Sequence, residues 1–165
     1  MFHVICFMII LGIDPGTATT GYGIIKKDKK GKMQTIGYGC IITDPNLCPG
    51  DRLKIIHNEL NKLIKEHQPN ILAVENLFFF KNLKTAMPVS QAKGVVLMTA
   101  AKKKIPVYEV TPLEVKMTIT GYGRADKKQI QKMVKQILDL KETIKSDDAA
   151  DALGIAICGI LKNHL

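Results

Sequence analysis

The chain has too few acids to balance its bases. Fifteen Asp and Glu stand against 24 Lys and Arg in 165 residues, a formal net charge of +9. A surplus of that size points to a polyanionic partner, nucleic acid first; a solvated lysine surface is the plainer alternative. Its four cysteines, Cys6, Cys40, Cys48 and Cys158, form no Cys-x-x-Cys pair and meet no histidine at zinc spacing. That argues against a zinc site and suits a reducing compartment, so a cytoplasmic location is expected. The apolar start, Met1 to Ile13, lacks the basic leader and small-residue cleavage site of a signal peptide. It is also too short to span a bilayer, so no membrane partner is expected. Repeats, linkers and low-complexity tracts are absent, which leaves one domain over residues 1–165, with 1–7 as an N-terminal extension.

What is present is organised around Ile9-Ile10-Leu11-Gly12-Ile13-Asp14-Pro15-Gly16-Thr17. An apolar, β-branched run ends at a carboxylate and a Pro-Gly turn. That pattern is a buried strand delivering one acid to its C-terminal edge. Gly21 to Ile25 and Met33 to Thr43 follow as strands, making an antiparallel meander. Asp51 to His67 has apolar residues at helical spacing: Leu53, Ile56, Leu60, Leu63 and Ile64. Pro69 stops it, and Ile71 to Glu75 is the fourth strand. An aromatic loop, Leu77 to Asn82, precedes a long helix from about Thr85 to Lys103, with Thr85 as N-cap and Pro88 in the first turn. That helix is apolar on two faces, Met87, Val95, Met98 and Ala101 on one, Val89, Val96 and Ala100 on another. Two apolar faces imply a central position or an oligomer interface. A fifth strand is expected at Pro106 to Val110, then helices at Pro112 to Thr120, Asp126 to Leu138, and from a Ser146 cap to about Leu161. Helices and strands alternating after a meander predict a mixed α/β domain.

Three places can supply acids to one spot: Asp14, Glu75, and the cluster Asp147, Asp148 and Asp151; the question is whether they meet. Each has an ordinary explanation. Asp14 fits a turn start, Glu75 a polar strand end, and Asp147 and Asp148 the first turn of a helix, where its dipole favours carboxylates. Asp151 is harder to dismiss, because alanines flank it and allow close packing to the sheet. Asp148 and Asp151 are three apart and Asp147 and Asp151 four apart, so spacing alone does not choose between the first two. Four gathered carboxylates repel each other by roughly several kcal/mol unless a cation neutralises them. Hard oxygen ligands select Mg²⁺ or Mn²⁺. Two such ions about 4 Å apart activate a water and stabilise the leaving oxygen of a phosphodiester. A basic surface beside an acidic pit is therefore the pattern of a metal-dependent nuclease.

Taken together, four stretches resemble the RuvC family of bacterial crossover (Holliday) junction endodeoxyribonucleases. They are Leu-Gly-Ile-Asp14-Pro-Gly-Thr-x-x-Thr-Gly-Tyr-Gly, Ala-Val-Glu75-Asn-Leu-Phe, Gln91-Ala-Lys-Gly, and Asp148-Ala-Ala-Asp151-Ala-Leu. They occur in the family's order, and the resemblance runs from about Met8 to the C-terminus. It implies a ribonuclease-H-like fold with a five-stranded mixed sheet flanked by helices. It implies a homodimer that nicks two strands of a four-way junction symmetrically in recombination and repair, leaving 5′-phosphate and 3′-hydroxyl ends. The family's catalytic and metal-binding positions fall on Asp14, Glu75, Asp148 and Asp151, holding two Mg²⁺, with Mn²⁺ as substitute. Phe78 falls where the family stacks an aromatic on junction bases, and Lys116 and Lys127 where it contacts DNA. The long two-faced helix matches its dimer helix, and its branch-migration partners are RuvA and RuvB. The residues before Met8 and Pro88 inside the interface helix depart from the pattern, and the long basic tail that some members carry is not seen.

Two other readings have a basis. Asp14-Pro-Gly-Thr-Ala-Thr-Thr-Gly resembles the phosphate loop of actin-like ATPases and sugar kinases, but those close two domains on a nucleotide and this chain has the length of one. A DNA-structure-binding module with an inert site is the other, and the presence of all four acids weighs against it.

Overall fold

A computed structural model describes residues 7–76 and 83–162. In chain order these form β1 (Phe7–Asp14), β2 (Thr19–Asp28), β3 (Met33–Ile42), α1 (Pro49–His67), β4 (Ile71–Glu75), α2 (Leu83–Lys102), β5 (Val107–Val110), α3 (Pro112–Thr120), α4 (Lys127–Ile137) and α5 (Asp147–Lys162). The strands make one sheet in the order β3-β2-β1-β4-β5. β1, β2 and β3 pair antiparallel, whereas β4 runs parallel to β1 and β5 parallel to β4. The mixed sheet, a meander followed by parallel strands, is the expected one. No helix of the described residues is long and apolar enough to cross a membrane.

β1 is the central strand because both of its faces are covered. Ile10 packs into the core beneath α3, α4 and α5, while Leu11 and Ile13 pack into the core beneath α1 and α2. A strand buried on both sides reads as a continuous apolar run rather than an alternation. The helical spacing of α1 also has a clear outcome: Ile56, Leu60 and Ile64 are buried, with Leu53 and Leu63 half-buried beside them.

α5 crosses β1, β2 and β4 at very short range. Gly12 makes this possible: a Cβ there would stand 2.3 Å from the Ala152 carbonyl oxygen and 2.8 Å from the Ala156 Cβ. Glycine in the strand and alanine in the helix let two backbones meet where side chains would hold them apart. The helix is in consequence almost entirely buried from Ala149 to Ile160, with Asp151 as the half-exposed exception.

Several boundaries differ from expectation. α1 begins at Pro49, whose missing N–H costs nothing at the first helical position. α2 begins at Leu83 and not after a Thr85 cap, so Pro88 lies in its second turn and removes one intrahelical hydrogen bond. The helix tolerates this because its inward face, Ala92, Val96, Thr99 and Ala100, is fully buried and fixes its path. β5 starts one residue late, at Val107, since Pro106 cannot donate to the ladder. Phe7, counted with the N-terminal extension, already pairs with Asp28. Residues 1–6 and the aromatic loop, Phe78 included, lie outside the described residues.

Candidate active site

Asp14 and Glu75 each close their strand. Because β1 and β4 are parallel neighbours with Ile13 opposite Val74, the two carboxylates emerge side by side at one sheet edge. The third acid arrives from α5. On β2, Gly21 is the partner of Asp14, and a Cβ at Gly21 would stand 2.1 Å from the Asp148 carbonyl oxygen. The first turn of α5 thus rests directly on the strand beside Asp14.

A cavity of about 240 Å³ opens at this edge. Asp14, Glu75 and Asp151 supply its acids, Lys116 and Lys127 its bases, and Pro112, Val115, Ile130 and Ile155 its apolar wall. Asp148 faces the adjoining groove, alongside Thr19, Tyr38, Cys40 and Ser146. Asp147 turns the other way, towards α4. Its Oδ2 lies 3.2 Å from Lys127 Nζ, and its Oδ1 accepts a 2.7 Å hydrogen bond from Gln131 Nε2. Lys127 also reaches Asp151, at 3.3 Å. The two acids that spacing left equivalent therefore face different neighbours.

The electrostatics are those of a pit short of positive charge. Burial pushes the Asp14 carboxyl up to about 8, helped by the charges of Glu75, Asp151 and Asp148, against relief from Lys127. Glu75 is raised by burial and by Asp151, with Lys93 opposing. Asp151 is raised by burial, with Lys127 pulling it down. Burial disfavours the Lys127 ammonium, but the charge of Asp151 and hydrogen bonds to Asp147 and Asp151 outweigh it and hold the ammonium protonated. An all-carboxylate donor set with an uncompensated buried acid fits a hard divalent cation, whose charge would remove the repulsion. Among the described residues, no three acidic, imidazole or thiol groups stand close enough as placed to enclose an ion.

Some participants were not visible to sequence reasoning. Lys93, Asn76 and Glu109 form a polar cluster behind Glu75: Lys93 Nζ lies 3.1 Å from Asn76 Oδ1 and 2.5 Å from Glu109 Oε2. The signal was the lysine of Gln91-Ala-Lys-Gly, a motif without an assigned role. Thr17, in the turn after Asp14, donates from Oγ1 to the Pro88 carbonyl at 2.6 Å. Thr43 donates to the Thr17 carbonyl at 2.6 Å, and Arg52 Nε to Thr43 Oγ1 at 2.8 Å. This chain of bonds fixes the turn on which Asp14 depends, and nothing in the spacing of those residues announces it.

Comparison with known proteins gives a consistent result. Residues 10–159 match the family model described as crossover junction endodeoxyribonuclease RuvC. A protein of that name from Caldicellulosiruptor saccharolyticus is 50% identical over 156 residues, covering 94% of each chain. Another, from Desulfitobacterium hafniense, is 53% identical over 151 residues, covering 92% of this chain and 91% of the relative. Among solved structures, Thermus thermophilus RuvC in complex with Holliday junction substrate superposes with a TM-score of 0.87 at 33% identity, covering 94% of each chain.

Proposed function

Because the chain belongs to the RuvC family of crossover junction endodeoxyribonucleases, we propose that Asp14, Glu75, Asp148 and Asp151 are the carboxylates with which it cuts. The activity itself is that of the family, endonucleolytic resolution of Holliday junctions in DNA recombination and repair. The observation that carries the site assignment is the cavity where Asp14, Glu75 and Asp151 meet Lys116 and Lys127. Asp148 stands one groove away, near enough for its charge to raise the Asp14 carboxyl.

The four carboxylates are the residues that would hold the divalent cations, Mg²⁺ with Mn²⁺ as substitute and two per subunit by the family's pattern. Held by these carboxylates, such a cation would supply Lewis-acid activation of a water and charge neutralisation at the leaving oxygen. The chain's own residues do the rest. β1 and β4 hold the backbone at Asp14 and Glu75 rigidly at the ends of a buried sheet, so where these two acids emerge is set before DNA arrives. Val115, Ile130 and Ile155 keep one wall dry, which strengthens every charge interaction inside. Lys116 and Lys127 sit where the phosphodiester must pass and hold it against the acids. By the family's pattern the 3′ oxygen is the leaving group, so hydrolysis gives 5′-phosphate and 3′-hydroxyl ends, which a ligase seals.

Junction specificity is assigned to two features. Phe78, just beyond Glu75 in the chain, is the proposed stacking residue, and stacking on an unpaired base contributes ~1–3 kcal/mol. The second is dimerisation through α2. Its outward face carries Met87 and Met98, 69% and 47% exposed, with Gly94 facing open space between them. A second copy against that face would bury both methionines and present two pits for symmetric nicking. RuvA and RuvB are proposed as partners on family membership.

The test is a labelled synthetic four-way junction and a matching linear duplex, each incubated with wild-type protein and with Asp14→Asn, with and without Mg²⁺. Paired, ligatable, metal-dependent nicks in the junction alone are expected from the wild type. The variant is expected to bind the junction and leave it intact. Wild-type cutting by Asp14→Asn would sink the assignment, and tight binding without nicks under any metal would favour an inert binding module.

A further inference from the structure

We propose that Lys93 is a positioning residue: from α2 it fixes the Glu75 end of β4 through Asn76 and Glu109 and thereby sets the pit's affinity for its divalent cation. The inference rests on the assignment of Glu75 as a cation ligand.

Lys93 is an unusual lysine for this chain. Its side chain is 15% exposed, whereas the other lysines among the described residues largely face solvent. Burying an ammonium is costly unless it is paired and hydrogen-bonded, and here it is both. The amine bridges Asn76 Oδ1 at 3.1 Å and Glu109 Oε2 at 2.5 Å. Asn76 is the residue after Glu75, and its backbone N–H donates to the Val110 carbonyl at 2.7 Å. Glu109 lies opposite Val74 in the ladder, and Val110 opposite Glu75. One amine therefore clasps the ends of both β4 and β5 next to a carboxylate of the pit.

The clasp comes from the helix whose outward face is the proposed dimer contact. That helix grips the catalytic edge a second time, through the 2.6 Å bond from Thr17 to the Pro88 carbonyl, three residues beyond Asp14. Both strand ends that carry acids are thus tied to α2, and Lys93 is the tie that carries charge. Groups that orient metal ligands in this way typically change metal affinity about 10–100-fold when removed.

The experiment measures Mn²⁺ binding to the full chain without DNA, by calorimetry or by the electron paramagnetic resonance of free Mn²⁺, together with junction cleavage as a function of Mn²⁺. Lys93→Met combined with Glu109→Gln removes the charge without leaving an unpaired carboxylate. It is expected to bind Mn²⁺ about tenfold more weakly, and to need correspondingly more Mn²⁺ for cleavage while reaching the wild-type rate at saturation. Lys93→Arg, which keeps the charge, is expected to bind as wild type, and Glu109→Gln alone, which keeps the bond to Asn76, to lose less affinity than the double variant. Glu75→Gln distinguishes the two levels of the argument. If it loses Mn²⁺ binding while the Lys93→Met, Glu109→Gln protein keeps wild-type affinity, the role of Lys93 is refuted. If Glu75→Gln itself binds as tightly as wild type, the ligand assignment fails and the inference falls with it. Should the double variant fold poorly, a tenfold loss in Lys93→Arg would equally refute a role resting on charge.

Discussion

Asp14 is held in the folded protein at a cost that pH should reveal. Its carboxyl has an ordinary value of 3.8 and a folded value of about 8, raised first by burial and then by Glu75, Asp151 and Asp148. A raised value means that the folded state binds the proton more tightly than the unfolded chain. The stability this confers is complete below 3.8 and is lost as pH rises towards 8, by about 1.4 kcal/mol per unit. Asn at position 14 is neutral at every pH and nearly the same shape, so it escapes that loss. The stability gap between Asp14→Asn and wild type should therefore widen with pH. From pH 5 to pH 7 the ceiling is about 2.7 kcal/mol. Asp14 is only partly shielded from water, so about half of that, 1–1.5 kcal/mol, is expected, or roughly 3–5 °C in melting midpoint for a chain of this size. The assay is a thermal melt of both proteins in chelator at pH 5, 6, 7 and 8. Added Mg²⁺ should close the gap, because a ligand of the folded wild type stabilises it by mass action. A gap that is constant in pH, or that narrows as pH rises, would refute the picture of a buried, mutually repelling carboxylate.

Three further outcomes follow from the same structure. Gly21→Ala places a Cβ 2.1 Å from the Asp148 carbonyl, a clash no rotamer relieves, so α5 must shift; cleavage should fall about a hundredfold while circular dichroism retains the fold, and wild-type cutting would contradict the close contact. Met98→Glu puts a charge on the outward face of α2, where Met98 is half-exposed; light scattering should find a folded monomer whose melting midpoint is lower and no longer depends on protein concentration, and a persistent dimer would remove α2 from the interface. Junction affinity should drop steeply with salt, and Lys127→Ala should flatten the log–log slope by about one phosphate contact; an unchanged slope would mean that Lys127 meets no phosphate.

Much of the architecture was legible because it depends on local pattern. The continuous run Ile9 to Ile13 could only be a strand covered on both faces, and the placement of its terminal acid followed. Glu75 was legible for the same reason, since a short apolar run ended on it. The spacing of Ile56, Leu60 and Ile64 fixed the buried face of α1; of the second apolar face of α2, Met87, Met98 and Ala101 are left exposed, while Val95 turns inward against Ile41, Ile56 and Ala92. Boundaries were less legible where proline was concerned. Rules for isolated helices place Pro88 in a first turn, yet α2 starts at Leu83 and Pro88 falls in its second turn.

What the sequence by itself determined was which residues are acidic, which strands bring Asp14 and Glu75 to one edge, and the family whose motifs they carry. Those are properties of short stretches, where residue type and period suffice. Only the tertiary structure decided that Asp147 turns to Lys127 and Gln131 while Asp148 lies against Gly21, because one residue of helix is a rotation of about 100°, and which side faces the sheet depends on how α5 docks. It alone showed Lys93 between Asn76 and Glu109, and Thr17 bonded to the carbonyl of Pro88. These partners lie 16 to 71 residues apart in the chain. Nothing local links them; they meet because the sheet and its two helical layers close around a strand with no solvent on either side.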